Sequence, residues 1–297
     1  SGCEVYDARQ PYAVHRIRGR SWGRWQAWWA RLAGSTLLEE HDRVVFSTWR
    51  MASRLGPLAH RQGCKIGVAA HGSELTRMHR STREFERVDR ITDCWLPVSS
   101  FLASELSRLG ARRPIRVLPM PIATEGTPLP HSERSGLVML ARLTPLKGLE
   151  RAVALARALG EPLTVIGEGP ARTTVEVQSG TEIRFLGRLE RADSMQIVRA
   201  ARALVLLPET AADGTGSEGL GLCLLEAATL GVPGIGCATG GVPEALGPGL
   251  LIDPEKPDLA KVRAFLDDPD RGENSRKWVR HHHGPARCLE ELDEALS

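Results

Sequence analysis

No apolar run in this chain approaches the roughly 18 residues that a membrane-crossing helix needs, and its opening residues do not read as a signal peptide. A cytoplasmic location is therefore expected. The six cysteines, at 3, 64, 94, 223, 237 and 288, are scattered and form no CxxC pair. That argues against a disulfide framework or a zinc site and favours reduced thiols. No metal-ligand spacing is present, so no bound metal or cofactor is expected. The consecutive His281, His282 and His283 would point in different directions on a helix and make a poor ligand set. No GxGxxG follows the first strand of either half, which disfavours a dinucleotide-dependent oxidoreductase. The net charge of +3 is too small to imply nucleic acid as a partner. Internal repeats and low-complexity stretches are also missing.

What remains is a globular chain of 297 residues, 42% hydrophobic and 25% charged, long enough for two domains of ordinary size. From about residue 133 the pattern is regular. "GLVMLARL" (136–143), "PLTVIGEGP" (162–170), "IRFLGRL" (183–189), "LVLLPE" (204–209) and "VPGIGCA" (232–238) read as strands. Helical periodicity occupies 147–160, 192–203 and the stretch between the fourth and fifth strands. That rhythm means βαβ units, a parallel sheet covered on both faces and right-handed crossovers, hence a doubly wound Rossmann-like domain. The first half is similar in kind. "RVVFSTWR" (43–50), "KIGVAAHG" (65–72), "CWLPVSS" (94–100) and "IRVLPM" (115–120) are expected strands, and 101–110 a helix. A hinge is expected near 121–136, rich in Pro, Gly, Ser and Thr. Residues 1–130 and 131–272 are then the two domains, with 273–297 a helical segment returning to the first. The opening "SGCEVYDARQ" reads as a strand arriving from a preceding helix, so a first strand and helix are expected to lie ahead of it.

Ligands of open parallel sheets bind beyond the carboxyl ends of the strands, and the chemically interesting residues cluster there. Arg142 and Lys147 follow the first strand of the second domain, Gly167 and Gly169 the second, Gly187 and Arg188 the third. Glu218 follows the fourth and "TGGVPE" (239–244) the fifth. Arg142 and Lys147 suit a diphosphate, one by paired N–H donors and the other as a movable point charge. Gly219 and Gly221 allow close backbone approach, and a helix starting near Leu220 would aim its free N–H groups at phosphate. Glu226, inside that helix, suits the vicinal hydroxyls of a ribose, and Glu218, ahead of it, suits a second sugar. Taken singly, the two acids are equally ordinary as a helix-start carboxylate and a salt-bridged helix residue. Glu244 is open between capping its helix and touching ligand, and Gly167 and Gly169 between ligand contact and a tight turn.

In combination these segments resemble a known family. "EGLGLCLLE" matches the E-x7-E element of the retaining GT-B glycosyltransferases of the family-4 type (group 1). "ARLTPLKG" resembles their diphosphate clamp, and "VIGEGP", "IRFLGRL" and "GVPGIGCATGGVPE" are similar to the neighbouring blocks in the expected order. The resemblance covers 136–255 strongly and extends more weakly to "AAHGSEL" (69–75) and "CWLPVSSFLASEL" (94–106). It departs at "LPMPIA" (118–123), which lacks the family's Asn and Gly, and at the glycine loop after the family's first strand.

The resemblance implies two Rossmann-like domains facing across a cleft and transfer from a UDP-, GDP-, ADP- or TDP-sugar to an acceptor hydroxyl with retention. Arg142, Lys147, Gly219, Gly221 and Leu222 are then expected on the donor diphosphate, and Glu218, Gly240 and Gly241 on the donor sugar. Glu226, Gly187, Arg188 and Gly167 fall on the nucleoside side, and His71 joins Glu218 at the reacting centre. Alternatives within the same resemblance are a nucleotide-sugar epimerase and a catalytically inactive sugar-nucleotide-binding partner. The acceptor is expected to be a sugar, a lipid-linked molecule or a small molecule. The segment 16–34, which holds four of the seven tryptophans beside several arginines, is open among a sheet-packed helix, an acceptor platform and a peripheral contact with the inner membrane face.

Overall fold

The computed structural model describes residues 38, 41–72, 82–123, 126–176, 182–211 and 216–297. The expected roles of 16–34 and of the opening segment lie outside the described residues. The first half alternates β1 (Arg43–Phe46), α1 (Trp49–Arg61), β2 (Lys65–Ala70), α2 (Thr82–Ile91), β3 (Cys94–Pro97) and α3 (Ser100–Arg108). Its strands pair in parallel in the order β1-β2-β3. The expected strand over 43–50 stops at Phe46 because Thr48 turns out of the sheet and caps α1, its side chain accepting the Met51 N–H at 3.3 Å. The expected strand over 115–120 runs beside β3 with alternate hydrogen bonds, Arg116 N–H to the Trp95 carbonyl at 2.9 Å and Leu118 N–H to that of Pro97 at 2.8 Å. It registers only as a single bridge between Trp95 and Ile115. Prolines at 114, 119 and 121 bring no N–H, so the ladder has few donors to extend.

The second half contains β4 (Leu137–Leu140), α4 (Leu149–Leu159), β5 (Leu163–Ile166), α5 (Ala171–Glu176), β6 (Ile183–Gly187), α6 (Arg191–Arg199), β7 (Ala203–Leu206), α7 (Leu222–Thr229), β8 (Gly234–Gly236), α8 (Val242–Leu246) and β9 (Leu250–Leu251). All six strands pair in parallel in the order β6-β5-β4-β7-β8-β9. That is the doubly wound order in which the chain reverses direction between the first and fourth strands. Period-two alternation sorts the strand residues onto two faces. Leu137, Met139, Leu163, Val165, Ala203 and Val205 enter one apolar cluster, and Val138, Ile166, Leu204 and Leu206 enter the other. Helix α4 shows why such segments form. Leu149, Ala152, Val153, Ala156 and Leu159 make one buried stripe, its alanines and leucines strong helix formers, and Gly160 at φ 70° stops it.

Three helices complete the chain, α9 (Leu259–Asp267), α10 (Arg271–His283) and α11 (Pro285–Ala295). The sequence was expected to be helical over 273–297, and the break inside that span falls at Gly284–Pro285, where proline cannot continue a helix. Leu292 and Leu296 pack with Cys94, Leu96 and Leu118, so the terminal helix lies on the first sheet. Asp293 accepts an ion pair from Arg43 there. The chain crosses between its halves beside α10, where Ile122 donates to the His283 carbonyl at 3.0 Å and the His283 Nδ1 lies 3.1 Å from the Met120 carbonyl oxygen.

Candidate active site

A cavity of about 670 Å³ opens at the carboxyl ends of β4 and β7, where the order of the second sheet reverses. Ligands of doubly wound sheets bind at that reversal, because adjacent loops leave it on opposite faces and part. Of the expected residues, His71, Arg142, Lys147, Glu218, Gly219, Gly221 and Leu222 all line it. The structure therefore brings the residues expected on a diphosphate, Glu218 and His71 to one chamber.

The cationic wall is built by backbone constraint. Lys147 ends a single 3-10 turn, Pro145–Lys147, and the next residue, Gly148, has φ 70°. A Cβ at Gly148 would lie 1.8 Å from the Leu207 carbonyl oxygen, so only glycine lets this turn pass over the end of β7. Lys147 Nζ is thereby carried to Glu218 Oε2, and the two form an ion pair with side chains 22% and 13% exposed. Arg142 is exposed, lines the same wall and makes no side-chain hydrogen bond or ion pair among the described residues. The wall thus offers one cation partly neutralised by Glu218 and one not neutralised.

The floor is the loop from Ser217 to Gly221 and the start of α7. Gly221 has φ 93°, and no side chain caps the helix that it opens. Unpaired amides and the positive end of the helix dipole consequently face the cavity at Leu222 and Cys223. Ser217 Oγ is buried there without a hydrogen-bond partner among the described residues. Buried hydroxyls are seldom left unpaired, and this polar atom was not foreseen from the sequence because serine in a loop carries no distinctive signal. Burial and the nearby Glu218 carboxylate push the Cys223 thiol up to about 12, so it stays protonated and is no nucleophile at neutral pH.

His71 enters from the first half. Burial lowers its pKa from the usual 6.5, against a smaller opposing effect of its hydrogen bond at the Ser47 backbone, and the ring is neutral at pH 7. The halves meet beside it. A Cβ on Gly72 would come within 2.9 Å of the Gly219 Cα, and the Ser99 hydroxyl donates to the Gly219 carbonyl at 2.7 Å. Val98 and Met120 complete the facing wall with apolar surface. Neither was foreseen, since apolar residues at strand ends look like core.

Several expected contacts lie outside this chamber. Gly241 donates its N–H to the Glu218 carbonyl at 2.8 Å, so that amide is already engaged. Cβ atoms at Gly240 and Gly241 would lie 2.1 Å and 2.2 Å from the carbonyl oxygens of Glu218 and Gly219. Their observed work is to let a second loop pack beneath the floor. Gly167 donates to the Gly187 carbonyl at 2.8 Å, and a Cβ on it would meet the Ala141 oxygen at 1.9 Å. Those glycines join the ends of β4, β5 and β6, with exposed Arg188 next to them. Glu226 is paired with Arg191, with side chains 19% and 62% exposed. It does not line the cavity.

Among the described residues no three His, Cys, Asp or Glu side chains gather as a metal-ligand group. His282 instead stacks on Trp278 at 5.0 Å. No described helix is long and apolar enough to cross a membrane.

Residues 127–281 match the model of the family described as glycosyl transferases group 1. A GDP-mannose-dependent monoacylated alpha-(1-6)-phosphatidylinositol monomannoside mannosyltransferase of Corynebacterium glutamicum is 32% identical over 262 residues, covering 78% of this chain and 69% of that protein. A related mannosyltransferase of Mycobacterium tuberculosis is 28% identical, over 82% of this chain and 73% of its own. A putative colanic acid biosynthesis glycosyltransferase of Escherichia coli is 27% identical over 65% of this chain and 52% of its own. Among solved structures, Anabaena HepE in complex with UDP and glucose superposes with a TM-score of 0.74 at 15% identity, covering 100% of this chain and 89% of that one. The fold is accordingly GT-B, two Rossmann-like domains on parallel sheets. The chain belongs to the glycosyl transferases group 1 family, and it is a glycosyltransferase.

Proposed function

We propose that this chain transfers a hexose from a nucleoside-diphosphate sugar to an acceptor hydroxyl, with retention of configuration, in the cavity between its two sheets. The observation that carries the reading is the pairing of Lys147 with Glu218 beside Arg142 and the uncapped start of α7. A ligand that sets its diphosphate on the cations and the free amides, with its nucleoside toward Gly187 and Glu226, would set its sugar beside Glu218.

Arg142 and Lys147 would stabilise the leaving diphosphate as its charge grows, and the dipole of α7 would add to them. Fixed positive groups aimed at developing charge are the largest single source of such catalysis. The bond from the sugar's anomeric carbon to the diphosphate oxygen breaks, and the acceptor oxygen bonds to that carbon on the same face. The acceptor's proton passes to the diphosphate oxygen just released. No protein nucleophile enters, in keeping with the neutral Cys223 thiol and a Glu218 carboxylate held by Lys147. His71, neutral and across the cavity, would orient the acceptor or the sugar.

The named activity of the 32%-identical relative makes a GDP-sugar the first donor to try and a lipid-linked acceptor hydroxyl the first acceptor class. On the nucleoside side, Glu226 would leave Arg191 for the ribose hydroxyls, with Gly167, Gly187 and Arg188 near the base. A thermal-shift and calorimetry panel of GDP, UDP, ADP and TDP tests the reading. One nucleotide should bind, and Lys147→Ala should weaken it by about 10- to 100-fold, the worth of one charge-assisted phosphate contact. Unchanged affinity in that variant rejects the clamp. Product of inverted anomeric configuration rejects retention.

A further inference from the structure

Glu244 sits on the short helix α8, three residues past Gly241, yet its carboxylate reaches the other half of the molecule. Its Oε2 accepts the backbone N–H of Ser100 at 2.6 Å, and its Oε1 accepts that of Phe101 at 3.0 Å. These are the first two amides of α3. Leu102 is met locally by the Ser99 hydroxyl at 3.2 Å, and Ala103 makes the first bond within the helix, to the Ser99 carbonyl at 3.0 Å. A helix start leaves four donors without helical partners. Here two of the four are satisfied from the opposite domain, by a charge that the helix dipole also favours.

The contact is tied to the cavity from both sides. Ser99, which caps α3, donates the same hydroxyl to Gly219 in the floor. Gly241, which opens α8, holds the Glu218 carbonyl. The route from Glu218 through Gly241 and Glu244 to α3 and Val98 therefore crosses the cleft in a few bonds.

We propose that Glu244 is a positioning residue, a clasp that fastens the N-terminus of α3 to the donor-binding half and so sets the facing wall, with His71 and Val98, against Glu218. Its consequence for transfer rests on the donor-site reading above, whereas its structural action does not. Ser100 is exposed and Glu244 half-buried, so the clasp lies at the rim. Parting the halves would return the carboxylate and both amides to water, which offsets most of what the contact contributes. A fastening of that kind can open and close with each turnover.

The test compares full-length wild type, Glu244→Ala and Glu244→Gln. Hydrogen exchange reads the amides of residues 100–102, calorimetry reads GDP and UDP affinity, and steady-state assays read transfer. In Glu244→Ala, exchange at Ser100 and Phe101 should rise by about tenfold or more, as expected when a local opening loses its charged partner. Turnover should fall by about tenfold, while nucleotide affinity stays within about twofold because Arg142, Lys147 and the α7 amides are all on one half. Glu244→Gln, with one neutral acceptor in the same place, should fall between.

Unchanged exchange at Ser100 and Phe101 overturns the clasp. So does a parallel loss of nucleotide affinity and melting temperature, which marks a role in the folding of one domain. Wild type that binds neither GDP nor UDP counts against the donor-site reading instead, and the exchange measurement still decides the clasp.

Discussion

The two walls of the cavity are made of different materials. The wall from the six-stranded sheet carries Arg142, Lys147, Ser217, Glu218 and the uncapped start of Leu222–Thr229, with Gly148 packed closely behind Lys147 and Gly240 and Gly241 beneath the floor loop. The wall from the three-stranded sheet offers one neutral imidazole, Gly72 and the apolar surface of Val98 and Met120. A charged, rigidly supported wall suits a ligand present in every turnover, and a sparse one suits a partner whose shape differs among related enzymes. On the proposed reading, binding is separated from completion of the site, because the groups that would grip the donor all belong to one half.

That division can be broken from either side. The largest effect should come from the charged wall. Glu218→Ala removes the acid that shares Lys147, and transfer should fall by about 10²- to 10³-fold, the usual loss for one electrostatic contact made in the transition state. Its stability should fall far less than the rate, because the Lys147 ammonium, 22% exposed at the cavity, keeps access to water when its partner is removed. A loss of folding as large as the loss of rate would show that Glu218 is structural and end its assignment.

The next effect tests the support rather than the contact. Gly241→Ala puts a methyl 2.2 Å from the Gly219 carbonyl oxygen. Overpacking of this kind costs about 1–3 kcal/mol. Chemical denaturation should register that loss, with nucleotide affinity falling alongside because the floor loop must shift. Wild-type stability in the variant would mean that the two loops are not held as tightly as their geometry demands.

The smallest effect concerns the sparse wall and the crossing between halves. His71 and His283 both have pKa values lowered by burial from 6.5. In the window below 6.5 the unfolded chain binds protons that the folded chain does not, so stability present above that pH is lost as pH falls through the two folded values. Denaturation midpoints should therefore decline on acidification through this range, and by less in His283→Gln. An identical decline in that variant would remove His283 from the account.

Much of this was legible in the sequence because the second half repeats a simple physical pattern. Short apolar strands buried on both faces, helices with one buried stripe and glycines at their ends leave few other folds open. The meeting of Arg142, Lys147 and Glu218 followed from the rule that loops leave the carboxyl ends of parallel strands together. The first half was harder to read. Thr48 ended a strand that composition extended to residue 50, and prolines kept 115–120 from becoming a full strand. The nucleoside side was harder still. Glu226 is found on Arg191, and the glycines at 167, 187, 240 and 241 are occupied in packing loops on one another.

The sequence by itself determined the parallel sheets, their order of strands and helices, and the chemical types collected at one edge. Those properties depend on periodicity and on backbone restrictions, which act over a few residues. Only the tertiary structure decided which groups face the cavity, that Lys147 meets Glu218, and that Glu244 reaches across to the amides of Ser100 and Phe101. The first of these contacts joins residues 71 positions apart within one domain and depends on how its loops pack; the last joins residues 144 apart and depends on how two finished domains dock, and no local pattern encodes either distance.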